Sequence, residues 1–261
     1  MMRLVIVLLI ALAVVYAFRL RRRERTATGE SRRFERRATL AGLRFWSRLP
    51  EDLRDRLASR VDDFIARVPY TGAGGLVIDD RMRVHIAAQA CLVTLGHNDW
   101  PFDPLHGITL HPDEFIVHQE LEDEDTGVVT EGYETLSGQA IESDRIVLSW
   151  RDVLDSEARD DGYNVVIHEV THFLESAHPG GDPAAHAALE AAHAELCRAI
   201  DRGEETLLDP YGAEDPTEFL AVAAEFFFER PHELRTRHPT LYVVLRDSFR
   251  LDPASWTDLN T

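Results

Sequence analysis

Apolar side chains recur at helical spacing along much of the chain. After Leu49-Pro50, the apolar positions 53, 57, 61, 64 and 65 predict a helix over residues 51–67. The Ala-rich stretch 83–95 is typical of a buried helix, and from Gly162 the pattern is helical almost to the end. Short β-like runs lie between these parts, over 108–117 and 128–150, and the clearest is 145–150. The pattern therefore predicts an α+β fold, mainly helical with a small β-sheet.

An unbroken apolar run occupies residues 4–18. As a helix it would measure about 22 Å, slightly less than a hydrocarbon core of about 30 Å, and flanking arginines can snorkel. A cleaved signal peptide needs its basic residues before the run, whereas here only Arg3 precedes it and five arginines follow by position 25. We therefore predict a transmembrane anchor over residues 1–18, an Arg-rich juxtamembrane linker over 19–38, and one folded domain over 39–261.

The distribution of charge predicts the orientation of this anchor and argues against one class of binding partner. Residues 1–37 carry +7, and the whole chain carries a formal −18, so the remainder carries −25. The positive-inside rule places the arginines and the folded domain in the cytoplasm, on a single-pass protein of the inner membrane. A cytoplasmic location without the anchor is the alternative. The acidic body argues against direct nucleic-acid binding.

The residues His168-Glu169-Val170-Thr171-His172 form an HExxH motif. Residues four apart share a helix face, so both imidazoles can reach one metal ion, while Glu169 lies beside the open coordination position. There its carboxylate can take a proton from a metal-bound water. Apolar residues flank the motif and Pro179-Gly180 follows it, which indicates a helix. With only two cysteines, both predicted as core thiols, a Cys-built metal site is excluded.

A catalytic zinc site needs a third protein ligand. An apolar helix begins at Asp215-Pro216 and carries Glu218 and Glu225, and a glutamate in such a helix needs a partner. Spacing favours Glu218, which also fits a capping-box position, and leaves Glu225 open. The candidates downstream of the motif are His178, His186, Glu190, His193, Glu195, Glu214, Glu218 and Glu225.

Several segments, in this order, resemble the Mlc titration factor A (MtfA)-like zinc peptidase family, which is related to the catalytic domain of anthrax lethal factor. They are residues 72–76, 86–92, 111–115, 136–140, 147–150, the HExxH motif, 215–219 and 225–227. The resemblance implies a zincin-like fold and one Zn²⁺ per chain, with His168, His172 and Glu218 as ligands and Glu169 as general base. It also implies that Tyr211, seven residues before Glu218, donates to an oxyanion. One departure is Glu175, where the family often has aspartate.

The same resemblance implies a zinc metallopeptidase, aminopeptidase-like, that acts on a peptide or protein substrate. Residues 136–140 or 145–150 are candidates for a sheet edge that an extended substrate would join. The alternative function is a regulatory protein, tethered to the lipid bilayer by its N-terminal helix, that binds and sequesters a transcription repressor. The intact set of metal ligands and base favours catalysis, because binding alone requires no general base.

Overall fold

The computed structural model describes residues 31–113, 115–122, 129–136, 138–141, 144–180 and 182–256, and between 115 and 141 it describes the backbone. The apolar run over residues 4–18, and with it the predicted anchor, lies outside the described residues. Within the described ranges, no helix has the length and apolar character that crossing a membrane requires.

The helices follow the apolar periodicity closely in the second half of the chain. Helix α1 covers residues 31–41, and the others are α2 (Glu51–Arg67), α3 (Asp80–Val93), α4 (Trp150–Ala158), α5 (Val165–Ala177), α6 (Pro183–Asp201), α7 (Pro216–Glu229), α8 (Pro231–Arg237) and α9 (Pro239–Phe249). The predicted bounds of α2 are confirmed. Helix α3 begins three residues earlier than predicted, because the Asp79 side chain accepts a hydrogen bond from the Met82 N–H at 2.8 Å and caps it.

A four-stranded sheet and a separate hairpin complete the fold. The sheet strands are β1 (Tyr70–Gly72), β2 (Gly107–His111), β5 (Gly138–Ile141) and β6 (Arg145–Ser149), and the hairpin strands are β3 (Phe115–Glu122) and β4 (Val129–Leu136). The sheet order is β1-β2-β6-β5, in which β1, β2 and β6 are parallel and β5 is antiparallel to β6. The predicted α+β class, mainly helical with a small sheet, is confirmed.

The predicted strand over 145–150 needs one correction. Strand β6 ends at Ser149, and the Ser149 hydroxyl accepts from the Asp152 N–H at 3.3 Å, which starts α4 at Trp150. An apolar strand pattern that continues into an amphipathic helix concealed this boundary. Strand β6 is also paired on both sides, so in the described part of the sheet β5 is the strand beside it that lies at the edge.

Helix α1 is held against the body of the domain by ion pairs. The Arg36 guanidinium contacts Asp62 on α2 at 3.0 Å and Asp80 on α3 at 3.1 Å. The expected boundary at residue 38 therefore falls inside a helix. The main core is apolar and includes the fully buried residues Phe64, Ile86, Leu92, Ile108, Phe173, Phe219, Phe227 and Phe228.

The two cysteines are free thiols in different environments. Cys91 is fully buried on α3, as predicted for a core residue. The prediction of a core position is wrong for Cys197, which is only partly buried on α6 and has its thiol 3.7 Å from the Ala213 carbonyl oxygen.

Candidate metal centre

Helix α5, which carries the HExxH motif, is fixed at its first turn. The Asn164 side-chain carbonyl accepts from the Ile167 N–H at 3.1 Å, and the Ser156 hydroxyl accepts from the Val165 N–H at 3.2 Å. These bonds satisfy amides that a helix N-terminus leaves without partners. Gly162 precedes the helix with φ +98°, and a β-carbon there would lie 2.6 Å from the Phe226 ring. Only glycine therefore allows the chain to enter α5 this close to α7.

Helix α7 brings the distant glutamates to the motif. Asp215 caps it by accepting from the Thr217 N–H at 2.7 Å and the Glu218 N–H at 3.0 Å, and Pro216 occupies its first position, as predicted. Most residues of α7 are apolar, and the helix packs against α5 and the core. Glu218 and Glu225 lie on the side that faces α5.

Three ligand atoms converge between these helices. The His168 Nε2 and His172 Nε2 atoms are 3.1 Å apart, and the Glu218 Oε2 atom lies 3.0 Å from the first and 3.2 Å from the second. Tetrahedral zinc with bonds of about 2.0–2.1 Å separates its ligand atoms by roughly 3.3 Å. The donor set and its spacing therefore fit a zinc ion. Among the described residues, this is the group of three that has ligand atoms close enough to hold a metal.

Glu225 has a different position from Glu218. Its Oε1 atom lies 2.7 Å from His168 Nδ1, and its Oε2 atom accepts a hydrogen bond from the Asn164 backbone N–H. A carboxylate only accepts, so Nδ1 carries a proton, and Nε2 is the nitrogen that faces His172 and Glu218. A carboxylate on the far nitrogen is the usual way in which proteins orient a metal-binding histidine. The alternative that spacing left open, Glu225 as ligand, does not match this geometry.

The electrostatics of the centre suit a cation. Although burial opposes both shifts, hydrogen bonds with Glu218 and Glu225 raise the pKa of His168 to about 10, and bonds from His168 and His172 lower the pKa of Glu218 to about 2. Burial raises the pKa of Glu225. The His168 imidazole thus lies in a strongly negative environment in which a proton and a metal ion compete for it.

Glu169 is the buried acid of the motif. Only 5% of its surface is exposed, and burial raises its pKa to about 7, against the opposing effect of His168 and His172. An acid–base group with a pKa near neutrality transfers protons most efficiently at that pH. The pKa of this carboxyl is therefore suited to a general base.

Tyr211 lies beside the centre on the 3₁₀ turn Pro210–Ala213. Its ring centroid is 6.0 Å from that of His168, and 42% of the residue is exposed. The Asp209 side chain accepts from the Tyr211 N–H at 2.9 Å and fixes the start of the turn. The Tyr211 ring is thus partly exposed and lies close to the His168 ring.

The remaining candidate ligands lie elsewhere or have other partners. His178 Nε2 bonds to the Pro101 carbonyl at 2.8 Å, and His186 pairs with Glu190 on the exposed face of α6 at 3.3 Å.

His193 Nε2 lies 3.4 Å from the Ala213 carbonyl, and Glu195 pairs with Arg198 at 2.7 Å. Glu214 is exposed at the end of the Tyr211 turn.

Three residues next to this site carry no role in the sequence-based prediction. They are Asn164, which contacts Glu225 and Glu229, Glu229 itself, and Arg44, which contacts Glu229. Asn164 had a detectable signal, since it directly precedes an apolar helical run and is a preferred N-cap. Glu229 is another acid in the apolar helix α7, whereas Arg44 lies far away in the sequence and has no local signal.

Two imidazoles, a carboxylate and a buried acid beside them define a candidate metal centre of the class that metallopeptidases use. Comparison with known proteins gives the family: residues 18–250 match the model described as Glucose-regulated metallo-peptidase M90. The chain belongs to this family, which is the MtfA-like family indicated by its motifs.

Individual relatives support the same assignment over most of their length. The Mlc titration factor A of Pectobacterium atrosepticum is 32% identical over 221 residues, which cover 78% of this chain and 82% of that protein. The Mlc titration factor A of Serratia proteamaculans is 34% identical over 223 residues, with coverage of 79% and 83%. An uncharacterised protein of Synechocystis is 31% identical over 228 residues and 81% of each chain.

Proposed function

We propose that this chain is a zinc-dependent peptidase, aminopeptidase-like, whose metal is held by His168, His172 and Glu218. The observation that carries the proposal is the convergence of the two Nε2 atoms and Oε2 within 3.2 Å of one another. Membership of a metallopeptidase family supports it independently. A zinc ion held by these three residues would polarise the scissile carbonyl and lower the pKa of a water.

The chain's own groups would move the protons. Glu169 accepts a proton from the water that attacks the scissile carbonyl, and then delivers it to the leaving amine. Its pKa of about 7 allows both transfers near neutral pH. Glu225 keeps His168 in the tautomer that leaves Nε2 available, through the 2.7 Å bond to Nδ1.

Tyr211 is the proposed donor to the oxyanion that develops on the scissile carbonyl. Its turn lies against α7, its ring is near His168, and the residue is partly exposed. A phenol donates one hydrogen bond and is protonated at neutral pH, so it can stabilise negative charge there without a preceding proton transfer.

The sheet supports a zincin-like arrangement and a mode of substrate binding. Strand β5 forms the edge of the described sheet next to β6, and α5 packs against both strands. An extended peptide that joined β5 would run past the HExxH helix, with its backbone hydrogen-bonded to the strand. Of the two edges suggested by the sequence, 145–150 is excluded because β6 is paired on both sides, and within the described strands β5 has a side open to such a peptide.

The test is to separate the metal ligands from the base. Glu169→Gln should retain zinc and lose roughly two to four decades in the rate of peptide hydrolysis, whereas Glu218→Ala should lose zinc. Glu190→Gln, at an exposed glutamate on α6, is the matched control and should behave like the parent. Short peptides with a free or an acetylated N-terminus test the aminopeptidase assignment. Hydrolysis by Glu169→Gln at the parental rate would refute the peptidase proposal.

A second candidate function rests on the name of two relatives, Mlc titration factor A. On this proposal the chain binds and sequesters a transcription repressor, held at the inner membrane by residues 1–18 with its folded domain in the cytoplasm. Purified Mlc should then bind Glu169→Gln as tightly as the parent, because the surface would be separate from the base. Full-length protein should sediment with membranes, and deletion of residues 1–25 should release it.

A further inference from the structure

A chain of buried polar contacts extends from the metal-binding histidine to the N-terminal part of the domain. It runs from His168 through Glu225, Asn164 and Glu229 to Arg44. We propose that Arg44, Glu229 and Asn164 are positioning residues for the metal centre, which hold Glu225 and, through it, the His168 imidazole. This inference rests on the proposed metal-binding function of His168.

Glu229 is the central residue of this series of polar contacts. Only 6% of its side chain is exposed, and both carboxylate oxygens are used: Oε1 accepts from the Asn164 side-chain NH₂ at 2.6 Å, and Oε2 accepts from Arg44. A buried carboxylate is costly unless it is paired and hydrogen-bonded. Glu229 therefore fixes Arg44 and Asn164 relative to the end of α7.

Asn164 connects this link to both helices of the metal centre. Its backbone N–H donates to Glu225 Oε2, its side-chain NH₂ donates to Glu229, and its side-chain carbonyl caps α5 at the Ile167 N–H. One residue thus sets the start of the HExxH helix against two glutamates of α7. A displacement of Asn164 would move the Glu225 carboxylate away from its 2.7 Å contact with His168.

The 3₁₀ turn Arg44–Ser47 supplies the outer end of the chain of contacts. Arg44 donates to Glu229 and to the Arg159 carbonyl in the segment before α5. Arg48, directly after the turn, donates to the Phe228 and Glu229 carbonyls, each at 3.4 Å, at the end of α7. The two arginines therefore clamp the end of one ligand-bearing helix to the approach of the other.

The test compares two arginines that hold the same turn. Arg44→Met removes the contact with Glu229, whereas Arg54→Met removes hydrogen bonds to the Trp46 and Ser47 carbonyls and leaves Glu229 untouched. Zinc affinity is measured by competition with a chelator, and Co²⁺ absorption reports ligand geometry. We expect Arg44→Met to bind zinc roughly 3- to 30-fold more weakly than Arg54→Met, the scale of coupling through a contact network. Equal affinities and equal Co²⁺ spectra would overturn the inference.

A second variant decides the matter if Arg44→Met does not fold. Asn164→Asp keeps an oxygen for the Ile167 N–H, so the cap of α5 persists, but it removes the donor to Glu229. We expect weaker zinc binding and an altered Co²⁺ spectrum at unchanged helix content. If Arg44→Met does fold, Arg44→Lys should recover part of the zinc affinity that Arg44→Met loses. Parental affinity in Asn164→Asp would refute the positioning role. Failure of the parent itself to bind zinc would instead refute the proposed function.

Discussion

Replacing Glu225 with glutamine tests the contact on which the orientation of His168 depends. The carboxylate has one acceptor for His168 Nδ1, at 2.7 Å, and another for the Asn164 backbone N–H. Glutamine offers only one oxygen, so its NH₂ group must face one of these two donors. The change is nearly isosteric, and it removes one hydrogen bond without opening a cavity.

The magnitude follows from that lost bond. A buried donor left without a partner costs about 1–3 kcal/mol, which corresponds to a factor of about 5 to 150 in a binding constant. Loss of the carboxylate behind a metal-binding histidine typically weakens metal affinity by about 10- to 100-fold. We therefore expect Glu225→Gln to bind zinc about 10- to 100-fold more weakly, with the α-helical circular dichroism of the parent.

The assay is chelator competition at one fixed pH, because protons compete with the metal for the imidazoles. Glu190→Gln makes the same chemical change at an exposed glutamate that pairs with His186, and it should bind zinc like the parent. A folded Glu225→Gln variant with the parental zinc affinity would show that this carboxylate does not orient His168.

Three further predictions concern the oxyanion donor, the cap of α7 and a buried acid. Tyr211→Phe should retain zinc and slow peptide hydrolysis about 10- to 1,000-fold, the scale of one lost oxyanion donor; an unchanged kcat would exclude that role. Asp215→Ala removes the oxygen that accepts from the Thr217 and Glu218 N–H groups, so urea unfolding should show a free energy lower by about 1 kcal/mol. Burial raises the pKa of Glu229 despite the nearby Arg44, so the folded protein holds this proton more tightly than the unfolded chain does. The protonated Glu229 carboxyl therefore adds to the free energy of unfolding at a pH below the ordinary glutamate pKa. This contribution is lost as the pH rises through the pKa that Glu229 has in the folded protein. Urea unfolding at a series of pH values across this range should show that the free energy of unfolding falls more steeply with pH for the parent than for Glu229→Gln. A shallower fall for the parent would contradict a raised pKa for Glu229.

Local signals in the sequence predict much of the fold. The bounds of α2 and the start of α7 follow from proline, acidic caps and apolar spacing, all of which act within one or two helical turns. Helix α4 escapes prediction because its first residue continues the apolar pattern of β6. The parallel order of β1, β2 and β6 also has no local signature, since it depends on which strands meet after the chain crosses over.

In the candidate site too, some residues have a local signal in the sequence and others have none. His168, Glu169 and His172 are predicted from their spacing on one helix, and Glu218 from its place in an apolar helix. Spacing favours Glu218 but leaves Glu225 open, because both lie on one face of α7. Their separate positions become visible only when α7 is packed against α5. The link from Arg44 to Glu229 joins residues 185 positions apart, and no pattern within a helix indicates it.

The long distance in sequence between the HExxH motif and its partners on α7 has a consequence for when the proposed metal centre can form during synthesis. The proposed metal ligands are complete only when Glu218, 46 residues after His172, has been made, and Glu229 follows it. Domains fold as units once their contacting segments are present. A nascent chain that has exposed its HExxH residues therefore still lacks a ligand and the partner of Arg44. Prematurely terminated chains would carry the motif without a complete set of ligands, so the proposed hydrolysis would be a property that the polypeptide acquires late in its synthesis.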